Sequence, residues 1–415
     1  MKPLSISEWQ ALAVSQPEGW KRLLLENIDK CIENTGTSVM SASMVESSQL
    51  GEGVFSGVPY AVKDLFDVAG LPTHNSSVLP ELLERRAETS ADVVTRMQEM
   101  GATCIAKTQM NEFAYGLSGE NPHYGDCPHP YLKDCLSGGS SSGSAHAVAA
   151  GYLSLAFGTD TGGSIRLPAA WCGIYGIRWK PHYFMRGGFP LAPSFDSMGW
   201  LTRSGEDMAA MLKVWFTQSS ESSDLSIKGS CFLPQDFVLE ETHGALDRFC
   251  QKLALPAVEE PEELHALLLD SQKAFNVLQS REAFAIHEPW LDKYATHYDP
   301  QVRARILRAR NWSDEEIERA GQTMETVRGW FDAYFQKHDF LAMPICPGPS
   351  VPTGEAKPEL REQTLQLTTP ASLAGLPALA IPIWLDSRRS VGMQFIFKEV
   401  APAVPLAILE LCKNT

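Results

Sequence analysis

Apolar residues recur at threes and fours in some parts of the chain and run continuously in others, and this change of period predicts an α/β protein. Residues 5–34 place Trp9, Leu12, Trp20, Leu23, Leu24, Ile28 and Ile32 at helical spacing, behind a capping-box signature of Ser5 and Glu8. Packing helices are therefore expected in residues 1–50, with the small polar stretch 37–53 as a connection. Gly57–Asp64 reads as a short strand, Ser90–Met100 as an amphipathic helix ended by Gly101, and Ala102–Lys107 as a strand. The small residues of Ala145–Ala150 predict a tightly packed helix, and Leu153–Phe157 a buried strand. A helix over Glu206–Phe216 and a strand over Ile227–Leu233 follow, and the pattern then turns helical for about a hundred residues. Its clearest helix opens with the capping box of Ser313 and Glu316 and continues through Ile317, Ala320, Met324, Val327, Phe331 and Tyr334. Strands return at Phe340–Ile345, Ala378–Trp384 and Val391–Phe397, before a last helix over Val404–Leu411. Strands at both ends of the chain imply one central sheet. The expected organisation is N-terminal packing helices (1–50), a core carrying the chemistry (51–234), a helical insertion or cap (235–338), and C-terminal strands and a helix completing the sheet (339–415).

Composition narrows the function classes. The 415 residues are 44% hydrophobic and 20% charged, as in ordinary globular proteins. A net charge of -15 and the lack of any basic run argue against a nucleic-acid surface. The apolar stretch Leu367–Leu385 is interrupted by Pro370, Pro377 and Pro382, so no membrane span is expected. Nine scattered cysteines without a C-x-x-C pair read as reduced thiols, and the polar start, with Pro3 and Pro17, reads as no signal peptide. A cytoplasmic location is expected. The ten histidines show no H-E-x-x-H pattern, and His123 and His129 read as loop residues bonded locally rather than as metal ligands. Neither glycine-rich loop fits a phosphate-binding pattern, and no G-x-S-x-G elbow is present.

Those two loops are nevertheless the strongest chemical signal. Gly138–Ser144 leads into the small-residue helix, and Thr159–Ser164 follows the buried strand. Glycines allow successive N–H groups to turn toward one point, as an oxyanion requires, and Ser164 closes the second run. A flexible linker has the same composition, but here the loops are short, the flanks are apolar, and Arg166 and Pro168 follow at once. Lys63 follows Tyr60, Ala61 and Val62 and precedes Leu65 and Phe66. A lysine at a strand end is commonly a solvated charge, yet apolar surroundings would lower its pKa and let it act as a base. Ser140 could relay a proton between Lys63 and Ser164. The long segment 108–129, with Phe113, Ala114 and Tyr115, reads as a wall of the site.

The block GGSSSGSA at Gly138–Ala145, followed by GTDTGGSIRLPAAWCG at Gly158–Gly173, resembles the amidase signature family. The likeness extends to GVPYAVKD at Gly57, GATCIAKTQMNEFAYGLSGENPHYG at Gly101, FDSMGWLTR at Phe195, and LAGLPALAIPIW and VGMQFIF near the C-terminus. The resemblance implies a large, twisted, mixed β-sheet sandwiched between helices. It also implies a Ser, cis-Ser, Lys triad of Ser164 as nucleophile, Ser140 as proton shuttle and Lys63 as base. Backbone N–H groups of Thr161, Gly162, Gly163 and Ser164 would form the oxyanion hole, supported by Ser141, Asp160 and Arg166. Arg166 has a second reading, as the partner of a substrate carboxylate. No metal or organic cofactor is implied. Departures fall at Trp179–Pro181 and at Leu136 and Ser137, where the entrance to the site could be reshaped. Likeness to indole-3-acetamide hydrolases and malonamidase-type enzymes implies a small primary amide bearing an aryl or carboxyl group, and a homodimer without nucleic-acid or membrane partners. The alternatives are the glutaminase component of a tRNA-dependent amidotransferase, which needs a partner chain, and an inactive binding protein on the same fold.

Overall fold

The computed structural model describes residues 3–46, 48–216, 227–398 and 403–413. Ten strands form one mixed sheet: Met40–Ser43 (β1), Pro59–Lys63 (β2), Thr103–Thr108 (β3), Leu155–Thr159 (β4), Tyr175–Pro181 (β5), Ser197–Thr202 (β6), Gly229–Cys231 (β7), Phe340–Pro344 (β8), Ala378–Trp384 (β9) and Ser390–Phe397 (β10). Their order across the sheet is β1-β3-β2-β4-β6-β5-β9-β10-β8-β7. The pairs β3–β2, β2–β4 and β8–β7 are parallel and the others antiparallel. Every residue of β2, β3, β4, β6, β8 and β10 is buried. Because successive side chains point to opposite faces, both faces of the sheet must be covered.

Helices supply the cover. Ser142–Ala149 packs on β4, and Arg166–Cys172 on β9 and β10. Small residues, Ala145, Ala147, Ala149, Ala169 and Ala170, let these helices approach closely, and all are buried. Between β7 and β8, the long helix Pro261–Leu291 packs on Asp314–Tyr334, and it packs also on Pro358–Leu373.

Several elements depart from expectation. β1 lies in the stretch read as a connection and pairs with β3 through an irregular register. β4 runs two residues further than expected, to Thr159, and the helix Arg166–Cys172 and β5 follow where only a motif was seen. Pro370 does not break the chain but sits inside Pro358–Leu373. Side-chain donors converge on the carbonyls nearby: Gln394 Nε2 donates to Leu367 O at 2.8 Å and Arg166 Nη1 to Thr368 O at 2.8 Å. A proline costs a helix the bond to the carbonyl four residues earlier, and these donors hold the two carbonyls that follow that one. No helix among the described residues is long and apolar enough to cross a membrane. Among the described residues no disulfide is formed, and the nine cysteines are buried except for the half-buried Cys135.

Candidate active site

Lys63 ends β2 and Thr159 ends β4, so the parallel pairing brings both to one edge of the sheet. Ligands commonly bind at the C-terminal ends of strands in open α/β sheets. The Lys63 side chain is fully buried there. Its Nζ donates to Ser140 Oγ at 2.7 Å, to Thr159 Oγ1 at 3.0 Å and to Thr159 O at 3.4 Å. Burial lowers the amine to about 7, although the charges of Asp160 and Asp196 oppose the fall. Lys63 is thus poised to lose its proton near neutrality.

Ser140 follows a cis peptide bond from Gly139. Gly139 donates its N–H to Leu117 O at 2.7 Å, and a Cβ at this position would collide with Asn111 Oδ1. Only glycine fits that approach. Ser141 stands at the start of the helix Ser142–Ala149 and ties the two loops together: its Oγ donates to Thr159 O at 3.2 Å, and its N–H to Ser164 O at 3.1 Å. Ser164 is therefore fastened to the residue beside Ser140, with only 3% of its surface exposed.

The Asp160 carboxylate organises the second loop. It accepts N–H groups from Gly163 at 2.7 Å, Ile165 at 3.1 Å and Arg166 at 3.2 Å, and both oxygens meet the Arg166 guanidinium. Burial pushes this carboxyl up, but Arg166, Arg178 and the Gly163 N–H outweigh it and hold Asp160 well below the usual carboxylate range. Arg166 spends every guanidinium N–H within the protein, its remaining acceptors being Thr368 O, Gln394 Oε1 and Ser372 Oγ. No donor is left for a substrate carboxylate.

Thr161 Oγ1 donates to Asp196 Oδ1 at 2.7 Å, and Thr368 Oγ1 to Gly162 O at 2.7 Å. Gly163 adopts a φ of 123°, which side chains rarely tolerate. Of the four N–H groups expected to form an oxyanion hole, that of Gly163 is committed to Asp160. Among the described residues, the N–H groups of Thr161, Gly162 and Ser164 have no protein acceptor.

Phe113 and Ala114 lie in a turn with φ of 52° and 58°, a region costly for residues with a side chain. Phe113 packs against Phe189, His287 and Tyr298. The Tyr115 carbonyl accepts from Arg305 Nη1 at 2.6 Å, joining this loop to the helix Pro300–Leu307. His129 Nδ1 accepts from the N–H groups of Tyr131 at 3.1 Å and Leu132 at 3.0 Å, the local bonding expected, while its Nε2 reaches across to Trp171 O at 2.8 Å; the His123 ring meets the Glu112 carboxylate at 3.0 Å. Among the described residues no cluster of three or more His, Cys, Asp or Glu side chains could hold a metal.

The Amidase family profile matches residues 34–242 and 253–401, a span that contains every residue of this site. The chain belongs to the amidase family. It is similar to Amidase 1 of Arabidopsis thaliana, 29% identical over 85% of this chain and 92% of the relative. It is also similar to the A-type component of the glutamyl-tRNA(Gln) amidotransferase of Methanococcoides burtonii, 30% identical over 95% of this chain and 93% of the relative. A crystal structure of an amidase superposes with a TM-score of 0.87 at 29% identity, covering 99% of each chain. The chain is thus a hydrolase acting on amide bonds.

Sequence reasoning did not reach all of this amidase's site. Thr159, Asp196, Arg178 and Thr368 each hold one of the loops, and the first two stand within or beside recognised motifs, where a polar residue at a strand end was the available signal. Asn75 gave none. It is fully buried between Asp64 and Phe113, with φ of 56° and neither side-chain polar atom bonded.

Proposed function

We propose that this amidase cleaves a small amide through an acyl intermediate on Ser164, with Ser140 and Lys63 as the proton relay. The observation that carries the reading is the 2.7 Å contact of Ser140 Oγ with a buried amine lowered to about 7. Neutral Lys63 takes the Ser140 hydroxyl proton as Ser140 takes that of Ser164, and Ser164 Oγ bonds to the amide carbon. The carbonyl oxygen gathers charge facing the N–H groups of Thr161, Gly162 and Ser164, while Gly163 serves by keeping the loop bound to Asp160. Collapse breaks the C–N bond, and the proton returns through Ser140 to the leaving nitrogen. Water then attacks the ester, loses a proton to the same relay, and releases the acid.

Similarity to the A-type components of glutamyl-tRNA(Gln) amidotransferases is compatible with this chemistry as well as with action beside a partner chain. The two readings separate in one assay: ammonia release by the isolated chain from malonamate-like, aryl-acetamide and glutamine substrates, with Ser164→Ala alongside. Turnover abolished by the substitution supports a self-sufficient serine amidase. Silence on every amide would overturn that reading.

A further inference from the structure

Beside the serine loops lies a cavity of about 290 Å³ with an unusual charge. Leu117, Leu167 and Trp171 contribute apolar lining, and Arg305, Arg308 and Arg361 line it as well. Its position follows from the chain. Leu117 O holds the N–H of Gly139, next to Ser140, and Leu167 and Trp171 belong to the helix that starts two residues after Ser164. Thr364 also lines it, one turn before the threonine whose hydroxyl binds Gly162 O.

Its lining holds four basic residues, Arg305, Arg308, Lys357 and Arg361, against two acidic ones, Glu120 and Glu362, in a chain whose net charge is -15. Arg305 is already committed, donating to Tyr115 O at 2.6 Å and Gln301 Oε1 at 2.9 Å. Arg361 is not. Among the described residues it has no hydrogen-bond acceptor and no ion pair, and its Nε is sealed from solvent without a partner. Arg308 likewise has neither. Burial and the facing Arg305 and Arg308 push Arg361 down to about 9, with Tyr115 and Glu362 offering partial relief. Arg361 also stands in the first turns of the helix Pro358–Leu373, the end whose dipole disfavours cations.

A half-buried guanidinium at the positive end of a helix, against two more cations and with no acceptor, stabilises nothing in the chain by itself. Its fork of donors is suited to a carboxylate. We propose that Arg361, with Arg308, binds a carboxylate carried by the amide substrate and holds its amide carbon over Ser164. This rests on the hydrolase reading above and deepens it. The apolar wall of Leu117, Leu167 and Trp171 then covers the short linker between the carboxylate and the amide, while Arg166, all of whose donors are spent, plays no part in anchoring it.

The test compares succinamate and malonamate with their methyl esters, reading ammonia release by wild type, Arg361→Gln and Arg361→Lys. Wild type should favour the free acids, and Arg361→Gln should lower that preference by roughly 10- to 100-fold, the range for hydrogen bonds to a charged group. Lysine should restore part of it. Arg361 gives up no hydrogen bond, so both variants should fold, as thermal melting will show. Equal use of acid and ester by wild type, or an unchanged preference in Arg361→Gln, overturns the subsite and leaves the hydrolase reading standing. If wild type releases ammonia from none of these amides, succinate binding to Ser164→Ala, measured by calorimetry, decides the subsite separately. Loss of that binding on adding Arg361→Gln supports it, and absent or unaffected binding overturns it. Succinate inhibition that is not competitive with the amide would mark an effector site and overturn the substrate assignment.

Discussion

Replacing Lys63 with methionine is expected to abolish turnover and, at neutral pH, to remove a large penalty from the fold. Burial brings this amine from its ordinary 10.5 to about 7, equivalent to roughly 5 kcal/mol of differential stability between its protonated and neutral forms. Below pH 7 the lysine is protonated in both folded and unfolded chains, and the whole penalty is present. Between 7 and 10.5 the folded chain has released the proton and the unfolded chain has not, so wild-type stability rises with pH. Above that window the penalty is gone. Methionine leaves Ser140 Oγ and Thr159 Oγ1 without their partner, at about 1–3 kcal/mol each, but that loss does not vary with pH. The readout is therefore the difference between the two proteins in denaturant unfolding at pH 6.5 and pH 9.5. Wild type should gain on the variant by about 3 kcal/mol across that interval. Parallel stability profiles would show that Lys63 keeps an ordinary pKa and would refute the argument for a neutral base.

The rate of wild-type ammonia release should rise with pH and reach half its plateau near 7, because only the neutral amine accepts a proton; a rate falling through that range would contradict the relay. Asp160→Asn leaves Arg166 and Arg178 buried beside a neutral amide, and should destabilise the protein by about 3–5 kcal/mol, seen as a lower melting temperature with activity lost. Gly139→Ala should drive a methyl into Asn111 Oδ1 and displace Ser140, lowering kcat far more than it raises KM. Activity equal to wild type in that variant would mean the approach is looser than described.

Much of the architecture was legible because local and global signals agree. Ser5 with Glu8 and Ser313 with Glu316 form complete capping boxes, and Ala378–Trp384 is a strand over its full expected length. Lys63 could be singled out because its flanks are apolar, and burial is what those flanks produce. What was not legible depends on distant partners. Pro370 reads as a breaker until Gln394 and Arg166, far away in the chain, supply donors to the neighbouring carbonyls. Gly163 reads as an oxyanion donor until Asp160 turns back onto it. Arg361 lies in the polar run PELREQ, where nothing in the sequence singles it out, and only the folded chain brings Arg305 and Arg308 to the same cavity.

Where the acyl group goes is decided by quenching the enzyme in acid during turnover of the fastest amide and mapping its peptides by mass. An added acyl group is expected on Ser164 and absent from the Ser164→Ala protein, which should release no ammonia. An acyl group on another residue, or turnover surviving in Ser164→Ala, would contradict acylation of Ser164.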